Sequence, residues 1–186
     1  PLAQQGDVNA QYNLGILYFH GRGQPQDYKS AIKWMRLAAE QGYKQAQFNL
    51  GDSYYNGIGV PQDYKTAIKW MRLAAEQGYG EAHNNLGLMY RHGSGVPQDY
   101  RASAKWYLLA AEQGIASAQY GLGYMLENGY GVPQSYIMAH MWLNIAAANG
   151  VEGAAGGRNR VAEKMTPSQI EEAQKLARAW AEKHGD

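Results

Sequence analysis

The chain of 186 residues contains no cysteine, so disulfides and thiolate metal sites are excluded. It contains only two phenylalanines. It lacks an excess of either charge: 17 basic and 16 acidic side chains leave a formal net charge of +1. That balance gives no broad basic field for phosphate backbones and no acidic tail, so a nucleic-acid partner is not expected. No apolar run approaches the length needed to cross a bilayer. There is also no starting Met. What the chain has in excess is glycine and tyrosine, 23 and 15 residues. A bias of that kind points to internal repetition.

The repetition is regular. Tyr28, Tyr64, Tyr100 and Tyr136 follow one another at 36-residue steps, as do Trp34, Trp70, Trp106 and Trp142. Gly15, Gly51, Gly87 and Gly123 keep the same step, and so do Gly42, Gly78, Gly114 and Gly150. Four repeats are therefore expected at 7–42, 43–78, 79–114 and 115–150. Residues 1–6 match the end of a repeat, so the chain is expected to open inside a preceding one and to belong to a longer protein. Residues 151–186 leave the pattern and are expected to cap the array. The whole is read as one repeat domain, 1–186.

Each repeat reads as two helices. Ala10, Leu14, Leu17 and Tyr18 fall on one face at helical spacing and predict the buried side of the first. Gly15 inside that helix costs about 1 kcal/mol against Ala, and its recurrence predicts close approach of a partner helix. Gly21-Arg22-Gly23-Gln24-Pro25 is a turn. Its relatives later in the chain lack the strand, the Gly-x-Gly-x-x-Gly spacing or the Lys-Ser/Thr ending of a phosphate-binding loop. Asp27, Asp63, Asp99 and Ser135 stand where N-caps belong. The second helix is expected to bury Ala31, Trp34, Met35 and Ala38. Lys29, Lys33, Lys65, Lys69, Arg72 and Lys105 are expected in solvent. Thr166-Pro167-Ser168-Gln169 has the form of a capping box opening the last helix. The fold class predicted is all-α: a right-handed solenoid of stacked antiparallel helix pairs with a C-terminal capping helix pair.

The run from Ala46 through Leu50-Gly51, Tyr54, Gly57-x-Gly59-Val60-Pro61-Gln62-Asp63-Tyr64, Ala67 and Trp70 to Ala74-Ala75-Glu76-Gln77-Gly78 resembles the Sel-one-like repeat, a relative of the tetratricopeptide repeat with a longer internal loop. The resemblance covers residues 1–150, and residues 158–180 look like the ending of bacterial members. It implies adaptor and scaffold roles, and, because bacterial members are often exported, a periplasmic or secreted location. Some cysteine-rich members are associated with weak penicillin binding or hydrolysis, but their paired cysteines are missing here.

A helical wheel places Asn9, Tyr12, Asn13, Ile16, Phe19 and His20 opposite the predicted core of the first helix. The equivalents are Gln45, Phe48, Asn49, Asp52, Tyr55 and Asn56; then Glu81, Asn84, Asn85, Leu88, Arg91 and His92; then Ser117, Tyr120, Gly121, Tyr124, Glu127 and Asn128. In related solenoids the first helices line the concave surface. This face varies between repeats while the core positions hold nearly constant, and it carries both phenylalanines. Aromatics mixed with amides suit a binding groove. The partner-binding set predicted is Tyr12, Asn13, Phe19, Phe48, Asn49, Asp52, Tyr55, Asn85, Arg91, Tyr120 and Tyr124. For Tyr12, Phe48 and Tyr120, packing between repeats is an equally open reading. Asn13, Asn49 and Asn85 form a row able to grip an extended backbone.

Catalytic chemistry finds no support. His20, His83, His92, His140 and His184 form no helical pair of the kind a metal site uses. Ser53 beside Asp52 lacks a nucleophile elbow. Asp52 and Glu127 stand two repeats apart, beyond the ~5–9.5 Å used in glycoside chemistry. No cofactor and no metal are predicted. The function expected is a non-catalytic, monomeric interaction scaffold that takes a protein or peptide partner in its groove. The alternatives are a weak penicillin hydrolase and a cell-wall glycan-binding module.

Overall fold

The computed structural model describes residues 2–184. Pro1, of the predicted opening segment, and Gly185 and Asp186, of the predicted cap, lie outside the described residues. A short 3-10 turn, Ala3–Gln5, is followed by ten helices among the described residues: α1 Val8–His20, α2 Tyr28–Glu40, α3 Lys44–Asn56, α4 Tyr64–Glu76, α5 Gly80–His92, α6 Tyr100–Glu112, α7 Ala116–Asn128, α8 Tyr136–Ala148, α9 Ala154–Ala162 and α10 Pro167–His184. The all-α expectation holds. Among the described residues two compact units emerge, one of residues 2–89 with 93–97 and one of 90–92 with 98–184.

The first unit is built by pairing in chain order, α1 with α2, α2 with α3 and α3 with α4. The pairs are antiparallel, because the Asp27 N–H donates to the Tyr18 carbonyl and the Asp63 N–H to that of Tyr54, closing each loop. The expected N-caps form: Asp27 accepts from Lys29 and Ser30, Asp63 from Lys65 and Thr66. Hydroxyl and amide donors from Ser30 and Thr66 hold these two carboxyls below the usual Asp range. Gly15 and Gly51 are where the helices meet. A Cβ on Gly15 would stand 2.8 Å from Met35 Cγ, and one on Gly51 would stand 3.1 Å from the Ala67 carbonyl oxygen. The core around them is small and dense, with Ala31, Ala38, Ala46, Leu50, Ala67 and Met71 all at most 1% exposed.

In the second unit α7 packs on α6 and α8, and α8 also carries α9 and α10. Its core gathers Ala104, Tyr107, Leu122, Met125, Trp142 and Ile145, with Ala177 from the last helix. Asp99 caps α6, and Ser135 caps α8. The predicted capping box is present: the Gln169 N–H donates to Thr166 Oγ1, and the Thr166 N–H to Gln169 Oε1.

Two expectations need correction here. Leu17 is 40% exposed, whereas its counterparts Ser53, Met89 and Met125 are buried. Among the described residues α1 has a helix pair on only one side, so nothing covers that position. Trp34, Trp70 and Trp106 are half-buried rather than core. Trp142 is buried, with Trp180 of α10 packed across it at 5.7 Å between ring centres. Sequence reading also missed a row of buried polar side chains. Gln47 Nε2 donates to the Ala39 carbonyl, Gln119 Nε2 to that of Ala111 and Gln11 Nε2 to that of Ala3, while a ring nitrogen of His83 lies 3.0 Å from the Ala75 carbonyl. Each satisfies a helix-end carbonyl of the element before it, which water cannot reach. A second layer follows: Gln41 donates to Gln11, Gln77 to Gln47 and Asn149 to Gln119. The signal was available, because Gln11, Gln47 and Gln119 recur at the repeat spacing inside an apolar stripe.

Candidate functional site

The first-helix face is held from behind by the loop. In every repeat a loop glutamine side chain donates to a carbonyl in the last turn of the first helix: Gln26 to Phe19, Gln62 to Tyr55, Gln98 to Arg91 and Gln134 to Glu127, at 2.7–2.8 Å. Those four acceptors are one structural position. It carries a different side chain each time, on a backbone locked the same way.

In the first unit α1, α3 and α5 supply Tyr12, Asn13, Phe19, Phe48, Asn49, Asp52, Tyr55 and Asn85. Asn13 is exposed, and the other seven are half-buried. Phe19 packs edge-on against Tyr28 at 5.1 Å and against the His20 ring at 5.3 Å, while Tyr55 tilts against Tyr64 at 5.1 Å. Tyr12 lies 4.9 Å from Tyr43, and Phe48 lies 5.1 Å from Tyr79. Asn49 Nδ2 donates to the Tyr12 hydroxyl at 3.2 Å. Burial pushes the Tyr12 phenol up, with the Asn49 hydrogen bond opposing it. Two depressions open on this face. One, of about 200 Å³, is lined by Ile16, Phe19, His20, Asn49, Asp52 and Ser53. The other, of about 170 Å³, is lined by Asp52, Tyr55, Asn56, Asn85, Leu88 and Met89. Asp52 is common to both. Burial pushes its carboxyl above the usual Asp value, and a contact from Asn56 partly offsets that.

In the second unit the face carries Arg91, Tyr120 and Tyr124, all half-buried. The Arg91 guanidinium sits 4.6 Å over the Tyr124 ring, a cation–π contact that orients both. Two residues assigned to the wet face belong elsewhere. Gly121 is buried, and a Cβ there would stand 3.0 Å from the Tyr107 ring. Glu127 is 4% exposed and ion-paired by Arg160 and Lys164 of the α9 segment. The wheel could not anticipate this, because the covering element comes from outside the repeat.

Of the catalytic candidates, Ser53 is held by a structural contact. Ser53 is 2% exposed, and its hydroxyl donates to the Asn49 carbonyl at 2.8 Å, so its proton is committed to the helix. His140 is buried, and desolvation, aided by Arg158, lowers its pKa. Desolvation also lowers that of His83, despite its contact with the Ala75 carbonyl. Among the described residues no three His, Asp or Glu side chains come together in a way that could hold a metal. Among them, no helix is long and apolar enough to cross a membrane. Lys29, Lys33, Lys65, Lys69, Arg72 and Lys105 are exposed, as expected.

Comparison with known proteins agrees with the repeat reading. The model of the Sel1 repeat matches residues 8–43, 44–79, 80–115 and 116–151. A Sel1 repeat protein from Oxalobacter formigenes is 39% identical with a TM-score of 0.77, over 86% of this chain and 46% of that one. The c5321 protein of uropathogenic Escherichia coli, a protective antigen displaying an SLR fold, is 29% identical with a TM-score of 0.66, over 98% of this chain and 47% of that one. Cysteine-rich protein B of Helicobacter pylori is 25% identical with a TM-score of 0.55, over 70% of this chain and 96% of that one. The chain thus spans about half the length of the first two. No curated protein matches the chain by sequence.

Proposed function

Because the chain belongs to the Sel1 repeat family, whose repeats occupy residues 8–151, we propose that it is a non-catalytic scaffold that binds a protein or peptide partner along its first-helix face. Proteins of this family are typically interaction scaffolds. The observation that carries the reading is the division of labour within the repeat. Buried positions such as Ala38, Ala74, Ala110 and Ala146 repeat, whereas positions such as Phe19, Tyr55, Arg91 and Ile16, Asp52, Leu88, Tyr124 change from one repeat to the next, the first set on a backbone held identically. Half-buried aromatics beside amides offer apolar contact with adjustable hydrogen bonding. Asn13, Asn49 and Asn85 are the groups for the partner's backbone; Phe19, Phe48, Tyr55, Tyr120 and Tyr124 are its apolar seats. On this reading 1–186 acts as one repeat domain, with residues 151–186 as its cap.

The test is a random peptide display selection on the immobilised protein. Peptides recovered on the wild type are expected to bind the Tyr55→Ala/Tyr124→Ala double variant about 30-fold or more weakly, the loss typical of two aromatic anchors. Its melting temperature should fall by only a few degrees, since both rings are half-exposed. Equal binding by the double variant, or its collapse to an unfolded chain, would return both tyrosines to a structural role. Turnover of nitrocefin would reverse the non-catalytic reading.

A further inference from the structure

The feature that the scaffold reading leaves unexplained is Asp52. It is a half-buried carboxylate at the wall shared by two depressions. Among the described residues no ion pair involves it; those of Glu127 with Arg160 and Lys164 lie elsewhere. The basic groups on α1, α3 and the α5 part of this unit are His20, which lines one of the depressions, Lys44, and His83, which is buried with a ring nitrogen 3.0 Å from the Ala75 carbonyl and lines neither depression. Lys44 lies eight residues back on α3, about 12 Å along the axis. The rest of the surroundings is neutral: the amides of Asn49, Asn56 and Asn85, with Phe19 lining one depression and Tyr55 the other. The equivalent positions in the other repeats hold Ile16, Leu88 and Tyr124, so the fold does not require a carboxylate there.

We propose that Asp52 is the anchor for a basic side chain, lysine or arginine, of the protein or peptide seated along the first helices. The inference rests on the scaffold reading and adds to it the chemistry of the partner. Charge complementarity selects the sign. A carboxylate that folding has partly desolvated gains more from a counter-ion than one left in water. The aromatic lining selects the class, because Phe and Tyr rings accept the alkyl stem and attract the cationic head of such a side chain. The volumes select the size. At about 200 and 170 Å³ the depressions are smaller than the ~300–1,000 Å³ sites that enclose small-molecule ligands, but they suit one side chain. A divalent cation would need several hard oxygen ligands, and Asp52 supplies the one carboxylate. The raised proton affinity of Asp52 fits an unpaired group awaiting a cation.

The display selection that tests the scaffold reading also tests this one, with Asp52→Asn, Asp52→Glu and Tyr55→Ala/Tyr124→Ala as additional arms. Selected peptides are expected to share a lysine or arginine at one position. Replacing that residue by norleucine in a synthetic peptide should weaken binding to the wild type about ten-fold or more, and to Asp52→Asn about two-fold or less. Asp52→Glu should retain part of the affinity. Asp52→Asn should melt no lower than the wild type, because it replaces a charge whose burial is penalised. Peptides without a common basic residue, acidic peptides, or peptides that bind Asp52→Asn as tightly as the wild type would overturn the proposal. If those same peptides still lose affinity on Tyr55→Ala/Tyr124→Ala, the scaffold reading stands and the basic anchor falls. If the wild type selects no peptide, both fall.

Discussion

Gly95→Ala is expected to cost about 3 kcal/mol and to lower the melting temperature by about 6–12 °C. Two penalties add. Gly95 has φ +76°, a left-handed conformation that charges an L-residue about 1–2 kcal/mol. The Cβ would also stand 2.5 Å from the Tyr64 carbonyl oxygen at the start of α4. That atom is backbone, so relief requires a helix to move rather than a side chain to swing, an overpacking cost of about 1–3 kcal/mol. The same contact recurs in the second unit, where a Cβ on Gly131 would collide with the Tyr100 backbone, and in milder form between Gly59 and Tyr28. The second glycine of the loop is therefore the point at which one repeat rests on the second helix of the repeat before it. Gly23 supplies the control. It occupies the equivalent position at φ +75° with nothing within 4 Å of the added Cβ. Gly23→Ala carries the conformational penalty alone, so the difference between the two variants measures the inter-repeat contact. Thermal melts of both variants decide it, and equal losses would show that no such contact matters.

Arg160→Ala is expected to destabilise the second unit by about 2 kcal/mol, read by chemical denaturation at pH 7. Arg160 clasps the buried Glu127 carboxylate through two hydrogen bonds, Nε to Oε1 at 2.9 Å and Nη2 to Oε2 at 2.7 Å. Lys164 Nζ stands 3.5 Å from Oε1 and is the weaker partner. Removing the arginine leaves a carboxylate that is 4% exposed with most of its hydrogen bonding gone. The guanidinium side is 52% exposed, so water can enter the vacated place, and the loss stays below the ~3–5 kcal/mol of a fully enclosed pair. Glu127→Gln should cost less, because it removes the buried charge together with its partner's purpose. The pH dependence has a definite sign. Hydrogen bonding from Arg160, ahead of its charge and that of Lys164, holds the Glu127 carboxyl below the usual Glu range. Its folded-state pKa lies below its unfolded one, so its stabilisation is fully present above the unfolded value. It is lost as pH falls through the folded value. The gap between wild type and Arg160→Ala should therefore be constant near neutrality and close on acidification below about pH 5. A gap that persists unchanged in acid would mean that Arg160 acts through packing alone.

This ion pair also marks a boundary of sequence reading. Glu127 shares its repeat position with Phe19, Tyr55 and Arg91, and a helical wheel assigns all four to one wet face. Three conform. The fourth is covered, because α9, which belongs to no repeat, brings Arg160 across it. Gly121 fails for a related reason, since the Tyr107 ring of a neighbouring helix fills the space a side chain would take. The glutamine row failed differently: Gln47 and Gln119 were in plain view at the repeat spacing, yet polarity argued against burial until the helix-end carbonyls needing donors were located. Trp34, Trp70 and Trp106 were assigned to the core on size and spacing but stay half-buried, whereas Trp142 is buried with Trp180 of α10 packed across it.

Everything that depends on neighbours along the chain was determined by the sequence itself. The 36-residue period, the paired helices, their Asp and Ser caps, the glycine at each helix crossing and the capping box of α10 all follow from local preference repeated four times. They are legible because the same short-range physics recurs and reinforces its own signal. What only the tertiary structure decided is which chemically similar positions are covered. Burial is set by residues 8, 30 or 33 positions away, which no helical period encodes. That is why the structure could move Glu127 and Gly121 off the binding face. It is also why Asp52, one polar residue among many in the sequence, emerges as a half-buried carboxylate without a counter-ion between two depressions.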